Sequence, residues 1–294
     1  MRRRQAGQKV LSGDGTALRR FGMPNVLREE LSRIDLSSAE SEISGFIREA
    51  VMASGAEGVV VGLSGGVDSS VVVALCARSL GSDRVLSIIM PTHFTPREDL
   101  EDAEGLAADL GVRHRTIGID AICDRIYESV GADPSNPAQK IPMANVRARV
   151  RMALLYYFAN SENRLVVGTG DRSEILIGYF TKYGDGGADL LPIGHLYKTQ
   201  VRGMALRLGL PDRIAEKEAS PQLYPGHRAI DELPIGYDRL DPILYGLFDR
   251  KLGPEEVAEL SETPLEIVKE ILRRHSSSNH KRRLPPTVRP IVWH

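Results

Sequence analysis

The sequence predicts an α/β fold, in which a doubly wound parallel sheet carries helices on both faces and a helical C-terminal part follows. Short apolar runs bounded by glycine alternate with amphipathic helical segments from about residue 38 to residue 178. Continuous apolar runs are typical of strands buried on both faces, as in parallel sheets. Their regular alternation with helical segments indicates parallel α/β architecture, and the chain is helical again after Pro254.

The predicted elements follow one another along the chain. The first long helix is expected to use Ser37 or Ser38 as its N-cap and to end at Gly55. The strands are predicted at 59–63, 85–90, 114–119 and 165–168, and the helices between and after them at 68–80, 98–110, 121–130, 145–159 and from 172 onward.

Composition and charge exclude several classes of protein. With 38 Lys and Arg against 39 Asp and Glu, the formal net charge of the 294 residues is −1. This balance argues against a dedicated nucleic-acid binder, which is normally basic. The chain has no run of about 18 apolar residues, as a membrane helix requires. We therefore expect no membrane and no nucleic-acid partner.

The cysteines and the N-terminus suggest a compartment and a domain plan. Cys76 and Cys123 are too few for a disulfide scaffold or a Cys-rich zinc site, so we expect a cytoplasmic protein. The first residues are charged and lack the apolar segment of a secretory signal. We predict a basic, disordered arm at 1–22 and a single catalytic domain at 23–294.

A glycine- and serine-rich loop lies between the first predicted strand and the helix that follows it. Two adjacent glycines allow the backbone to turn tightly and to bring its amides close to a ligand. The N-terminus of the following helix attracts an anion, and an aspartate there suits the magnesium ion that accompanies phosphate. This phosphate loop consists of Gly62, Leu63, Ser64, Gly65, Gly66, Val67, Asp68 and Ser69.

Three interpretations of the phosphate loop compete. It is a glycine turn that serves packing alone, the nucleophile elbow of a serine hydrolase, or a pyrophosphate loop for ATP. The hydrolase interpretation follows from the G-x-S-x-G pattern and needs a base for Ser64, for which His195 and His227 are candidates. A Walker A loop is excluded, since the sequence contains no G-K-[ST].

The SGGVDS motif resembles the signature loop of the ATP pyrophosphatase superfamily, whose members cleave ATP to AMP and pyrophosphate. Further segments resemble NAD synthetases in order and spacing from about residue 40 to residue 290, in the short, ammonia-dependent form without an amidase domain. They are NVRAR at 145–149, GTGDRSE at 168–174, GYFTKYGDGGADL at 178–190, LYKTQ at 196–200 and HKRR at 280–283. The resemblance implies an adenine-nucleotide alpha-hydrolase-like fold.

The same resemblance implies the reaction. The carboxylate of nicotinic acid adenine dinucleotide (deamido-NAD) attacks the α-phosphate of ATP, and pyrophosphate leaves. Ammonia then displaces AMP from the acyl-adenylate and gives NAD, in the last step of NAD biosynthesis. ATP is the co-substrate, Mg²⁺ is the implied metal, and the family's members are homodimers.

Roles for individual residues are also implied by the resemblance. Asp68 and Glu174 match magnesium positions, and Asp68 and Lys198 are expected to be catalytic. Positions that contact ATP are matched, besides the phosphate loop, by Thr169, Lys198 and Ser220. Positions that hold deamido-NAD are matched by Arg149, Lys182, Asp189, His280 and Lys281.

Asp185 is a hypothesis from the residues themselves. Its carboxylate lies in the glycine-rich turn Gly184–Gly187, close to Lys182, and is predicted to accept a proton from ammonium. An aspartate that only stabilises its own turn is an equally good interpretation.

Other functions remain open at this point. Another ATP pyrophosphatase would amidate or thiolate a different substrate, although an RNA substrate predicts a basic surface and thiolation predicts reactive cysteines. A nucleotide sensor without catalysis would bind ATP on the same fold and would not need Glu174 or Lys182.

Overall fold

A computed structural model describes residues 26–288, so the predicted arm at 1–22 lies outside the described residues. The described chain contains a parallel sheet of four strands in the order β3-β2-β1-β4. Val60 of the central strand pairs with Leu86 on one side and with Val166 on the other. The predicted parallel sheet is confirmed. Its strands are β1 Gly58–Gly62, β2 Val85–Ile89, β3 Arg113–Thr116 and β4 Arg164–Val167.

The helices agree with the predicted order, with two differences at their starts. The first long helix is capped by Asp35, whose carboxylate accepts hydrogen bonds from the amides of Ser37 and Ser38, so the serine cap was wrong. The helix predicted from residue 145 begins at Lys140. The bounds are α1 Val26–Leu31, α2 Leu36–Ser54, α3 Val67–Leu80, α4 Arg97–Asp109, α5 Asp120–Ser129, α6 Lys140–Ser161, α7 Arg172–Ile177, α8 Lys198–Arg207, α9 Asp212–Ala215, α10 Tyr237–Leu244, α11 Pro254–Leu260 and α12 Leu265–Ser277.

Helices cover both faces of the sheet, as the doubly wound prediction requires. Val59 and Val61 of β1 belong to one core, together with α2, α3, α4 and α8. Val60 points into a second core, which is built with β2, α5 and α6. The alternation along β1 therefore serves two hydrophobic layers, and this explains why the strand is apolar at every position between its glycines.

The edge strand is shorter and more polar than predicted. β3 ends at Thr116, and all four of its residues are exposed. Within residues 26–288, its one partner strand is β2. A polar, exposed edge discourages pairing with another sheet, which is a common feature of edge strands.

The C-terminal helices form a third core with α1. Leu27 packs there with residues of α10, α11 and α12, among them Leu240 and Val268. The helical C-terminal part is thereby confirmed, whereas the single catalytic domain at 23–294 stays a prediction. Of the helices between residues 26 and 288, none has both the length and the apolar character needed to cross a membrane.

The order of the strands places two loops side by side. β1 pairs with β2 on one side and with β4 on the other, so the order in which the strands are added to the sheet reverses between β1 and β4. The phosphate loop follows β1, and residues 168–171 follow β4. Both lie at the carboxyl edge of the sheet, where ligands bind in open α/β folds.

Candidate active site

A cleft of about 640 Å³ opens at this edge of the sheet. Its walls come from the phosphate loop, the turn after β4, α6, the segment 178–187 and the segment 217–224. Predicted residues that line it are Gly62, Leu63, Ser64, Gly66, Val67, Asp68, Ser69, Thr169, Glu174, Asp185, Ser220 and Lys281. A cleft of this size accommodates a nucleotide-sized ligand.

The phosphate loop is braced by its own hydroxyl groups. The Ser69 hydroxyl donates to the carbonyl of Gly66 at 3.1 Å and accepts from the amide of Ser64 at 3.1 Å. The two serine hydroxyls lie 3.0 Å apart. At the start of α3, the N-cap Gly66 offers no side chain to the first amides. Those amides can therefore bind an anionic ligand.

These contacts leave the hydrolase interpretation without a base. Ser64 is hydrogen-bonded to Ser69 and to the amide of Gly66. The imidazole of His227 lies instead against Tyr179 and Glu232. Among the hydrogen bonds of residues 26–288, none joins a histidine to Ser64, so the arrangement of a Ser–His pair is missing there.

Lys198 is the centre of a buried ionic cluster beneath the cleft. Its side chain is fully buried at the start of α8, and its Nζ lies 2.7 Å from Asp68 and 2.9 Å from Glu174. A third carboxylate, Asp171, lies at 2.9 Å. The ring of Tyr237 faces the same ammonium, with 5.1 Å between Nζ and the ring centre. Three of the predicted catalytic and metal residues are thus brought together.

The cluster has more negative than positive groups. Burial alone would lower the pKa of Lys198, but the surrounding carboxylates outweigh it and hold that pKa well above its usual value. Burial, together with the neighbouring Asp171 and Asp68, raises the pKa of Glu174 despite the attraction of Lys198. A further cation at the cleft side would favour the ionised carboxylates.

A capping box at the start of α7 fixes two of these carboxylates. Asp171 accepts a hydrogen bond from the amide of Glu174 at 2.8 Å, and Glu174 accepts one from the amide of Asp171 at 3.3 Å. Glu174 is therefore not an ordinary solvated residue of a first turn. Asp171 was not among the predicted site residues, although its position three residues before Glu174 is the sequence signature of this box.

Asp241 joins the helices that carry the cluster. It is fully buried in α10 and accepts from the Ser173 hydroxyl at 2.6 Å and from the Thr199 amide at 2.8 Å. Ser173 in turn accepts from the amide of Lys198 at 3.0 Å. Burial raises the pKa of Asp241 to about 7, although both hydrogen bonds lower it. No local signal in the sequence indicates this role.

The carboxylates of Asp68 and Glu174 fit a magnesium ion. One oxygen of Asp68, Oδ1, is buried and has no hydrogen-bond partner within the described residues. Residues 26–288 contain no group of three or more His, Cys, Asp and Glu side chains that could hold a metal ion by themselves. Magnesium is commonly held by one or two carboxylates together with substrate phosphates, and two carboxylates are present here.

The five residues predicted for deamido-NAD are dispersed, and most contact the backbone. Arg149 donates to the carbonyl of Lys182 at 3.3 Å. Asp189 accepts from the amide of Val166 at 2.7 Å, which fastens the segment after β4. Lys281 donates to the carbonyls of Gly178 and Phe180, at 2.8 and 2.7 Å. Lys281 lines the cleft, whereas Arg149, Lys182, Asp189 and His280 lie outside its lining.

Asp185 and Ser220 both line the cleft and both have partners in their own loops. Asp185 accepts from the amide of Thr181 at 3.0 Å, and burial raises its pKa. The Ser220 hydroxyl donates to the carbonyl of His227 and so closes the loop between them. Each residue therefore shapes its turn, and each still faces the cleft.

Comparison with known proteins identifies the family. The NAD synthase family model matches residues 40–285. The chain is 51% identical over 267 residues to an NH(3)-dependent NAD(+) synthetase of Hyperthermus butylicus, covering 90% of this chain and 95% of the relative. It is 49% identical over 267 residues to a protein of the same name in Staphylothermus marinus, with the same shares covered.

Solved structures agree with this match. An NMN synthetase from Francisella tularensis superposes with a TM-score of 0.76 at 31% identity, covering 87% of this chain and 99% of that one. An NH3-dependent NAD synthetase from Campylobacter jejuni superposes with a TM-score of 0.72 at 30% identity, with the same coverage. On the evidence of sequence, fold and cleft together, the chain belongs to the NAD synthase family.

Proposed function

We propose that this protein catalyses the ATP-dependent amidation of deamido-NAD with ammonia, as an NH3-dependent NAD(+) synthetase. The products are NAD, AMP and pyrophosphate, and the reaction is the last step of NAD biosynthesis. One observation carries the proposal. In a chain that matches the family over 40–285, an anion-binding loop and the Lys198 cluster share one cleft at the sheet edge.

In the first half-reaction, the phosphate loop binds the β- and γ-phosphates of ATP. The carboxylate of deamido-NAD forms a bond to the α-phosphorus, and the bond to pyrophosphate breaks. Amides at the start of α3 stabilise the charge that collects on the leaving group, because they are oriented before the reaction begins. Thr169 and Ser220, which also line the cleft, contact the nucleotide.

Asp68 and Glu174 are the residues that would hold Mg²⁺, which neutralises phosphate charge when it is bound. Lys198 fixes both carboxylates through contacts of 2.7 and 2.9 Å. It also keeps them from repelling each other, since its ammonium lies between them. Its ammonium is fully buried and bound to three carboxylates, so Lys198 acts on the reaction through the two of them, Asp68 and Glu174, that line the cleft.

In the second half-reaction, ammonia attacks the acyl carbon and AMP leaves. Asp185 accepts the proton that ammonium must lose. Its place in the cleft lining and its raised pKa support this role, because a carboxylate with a raised pKa is a stronger base than an ordinary aspartate. Lys281 holds the backbone around Phe180 and positions the segment that contains Asp185.

The acceptor site extends beyond the cleft of one chain. Arg149, Lys182, Asp189 and His280 bind deamido-NAD outside the lining described above, and a homodimer in which two copies meet near these residues completes the site. Support comes from α6, where the ring of Tyr157 is 65% exposed. Light scattering at working concentration tests the dimer, and a monomer would contradict it.

The decisive assay supplies ATP, magnesium and deamido-NAD, with ammonium or with glutamine, and follows NAD and pyrophosphate. We expect NAD with ammonium alone. NAD from glutamine as well would indicate a glutaminase activity in the preparation. ATP binding without either product would favour the nucleotide sensor. A parallel reaction with nicotinic acid mononucleotide tests acceptor size, since one structural relative is an NMN synthetase.

A further inference from the structure

A second ionic cluster lies beside the phosphate loop, and two of its members, Lys217 and Asp99, line the same cleft. The ammonium of Lys217 lies 2.6 Å from Asp99, 2.6 Å from Asp102 and 3.0 Å from the carbonyl oxygen of Gly65. An ammonium group has three N–H donors, so these three bonds use all of them. Lys217 is consequently saturated by protein groups and is not a free phosphate ligand.

The bond to Gly65 fixes one peptide plane of the loop. In a trans peptide, the carbonyl of one residue and the N–H of the next project in opposite directions from the same plane. Because Lys217 binds the Gly65 carbonyl, the N–H of Gly66 is directed to the other side. There it approaches the Ser64 hydroxyl at 3.3 Å, and both Ser64 and Gly66 line the cleft.

The backbone at Gly65 leaves no space for a side chain. Its φ is +78°, a conformation that favours glycine, and a Cβ atom there would lie 2.2 Å from the carbonyl oxygen of Asp99. The loop therefore packs directly on the first turn of α4. Lys217 joins the same two residues, since it donates to the Gly65 carbonyl and to the Asp99 carboxylate.

Further bonds connect this cluster with the segment that closes the cleft. Arg213 donates to Asp102 at 2.6 Å, which balances the two carboxylates with two cations. The side-chain amide of Gln222 donates to the carboxylate of Asp99, and Gln222 itself lines the cleft. The phosphate loop, α4 and the segment 213–222 are thus held by one network of hydrogen bonds.

We propose that Lys217 is a positioning residue for the phosphate loop, which it holds through the Gly65 carbonyl in the orientation that binds the β- and γ-phosphates of ATP. The inference rests on the proposed use of ATP in this cleft, but it does not depend on the identity of the acceptor. Lys217 lines the cleft, but its three donors are occupied by protein groups, so it acts on the nucleotide through the backbone of the loop. The affinity for a ligand without β- and γ-phosphates should therefore not change when Lys217 is substituted.

The test compares a triphosphate with a monophosphate. Dissociation constants of α,β-methylene-ATP and of AMP, both with magnesium, are measured by calorimetry for the wild type and for Lys217→Met. We expect the variant to bind the triphosphate about tenfold more weakly, since a charge-assisted hydrogen bond that orients the loop is lost, and to bind AMP within about twofold of the wild type. Lys217→Arg should recover part of the loss.

The matched control is Lys269→Met, which removes an exposed lysine of α12 whose ion pair with Glu266 spans 3.8 Å. It should leave both constants unchanged. An equal loss for AMP and the triphosphate would mean a general structural role and would overturn the proposal, as would no loss at all. If Lys217→Met does not fold, Asp102→Asn decides by the same ratio, with a smaller change expected in the same direction.

The outcome is separable from that of the synthetase assay. A wild type that makes no NAD but shows the selective effect on the triphosphate would refute the proposed reaction and leave the role of Lys217 intact. If the wild type makes NAD but the ratio of the two dissociation constants is unchanged in the Lys217 variants, the proposed reaction stands and the role of Lys217 is refuted.

Discussion

At the level of single residues, the burial of charge around Lys198 supports the proposed active site. Removing an ammonium and three carboxylates from water is costly, and burial of an ion pair seldom adds stability over an apolar core. Here the carboxylates of Asp68 and Glu174 face the cleft, while Lys198 behind them is fully buried and contacts only protein groups. The arrangement is better explained by binding of a cation and phosphate than by stability of the fold.

Substitution of Glu174 by glutamine tests this explanation. The variant keeps the shape of the side chain but removes one negative charge from the proposed magnesium pair. We expect the magnesium concentration for half-maximal NAD formation to rise about tenfold or more. Glu259→Gln, an exposed position in α11, is the matched control and should not change it. A lower rate with an unchanged magnesium requirement would contradict the role of Glu174 as a ligand.

At the level of secondary-structure elements, the site depends on how three helices are held together. α7 carries Glu174 and α8 begins with Lys198, and their first turns are joined through Ser173. Asp241 of α10 binds both turns, since it accepts from Ser173 and from Thr199. Asp241 belongs to α10, a helix of the third core, so it connects the C-terminal helices with the two helices that carry the proposed site.

The pH dependence of stability should reveal Asp241. Its pKa is raised from 3.8 to about 7, so between these values the folded protein holds a proton that the unfolded chain has released. The contribution of this group to the free energy of unfolding is therefore complete below pH 4 and is lost as the pH rises through 7. The difference in unfolding free energy between the wild type and Asp241→Asn should decrease by about 1 kcal/mol per pH unit between pH 5 and 6.5.

Urea denaturation at closely spaced pH values measures this difference. Asp83→Asn, at an exposed position before β2, provides the comparison and should give a flat difference over the same range. A flat difference for Asp241→Asn as well would mean that Asp241 is ionised in the folded protein throughout, and the raised pKa would be wrong.

For the whole molecule, the cleft is the place where all layers meet. The sheet edge forms its floor, α6 forms one wall, and the segment 217–224 forms another, while Tyr237 belongs to the third core and also lines the cleft. A ligand bound there contacts residues of all three cores, among them Leu63, Met90 and Tyr237. Binding should therefore stabilise the chain as a unit.

Thermal unfolding with a nucleotide measures this coupling. At a concentration of α,β-methylene-ATP about 100 times its dissociation constant, with magnesium, the stabilisation should be about 2.7 kcal/mol. For a chain of this size we expect the midpoint of unfolding to rise by about 4–5 °C in calorimetry. Magnesium alone is the control. If unfolding instead occurs in two steps, and the midpoint of one step is unchanged at saturating nucleotide, the C-terminal helices unfold independently of the site.

Local patterns in the sequence were sufficient for the sheet, the phosphate loop and the family. Strands buried on both faces are apolar throughout, and glycines at a strand–helix turn have a conformational reason, so both are visible within a few neighbouring residues. The resemblance of separate motifs then brought Asp68, Glu174 and Lys198 into one site, and their contacts of 2.7 and 2.9 Å agree with it.

The tertiary structure alone decided which charges are buried together. Lys217 and Gly65 are separated by 152 positions in the chain, and Asp241 and Ser173 by 68. Neither Lys217 nor Asp241 has a local pattern that distinguishes it from a solvated surface residue. Burial and ion pairing depend on which distant segments the fold brings into contact, and that information lies in the packing of the layers rather than in any short stretch of sequence.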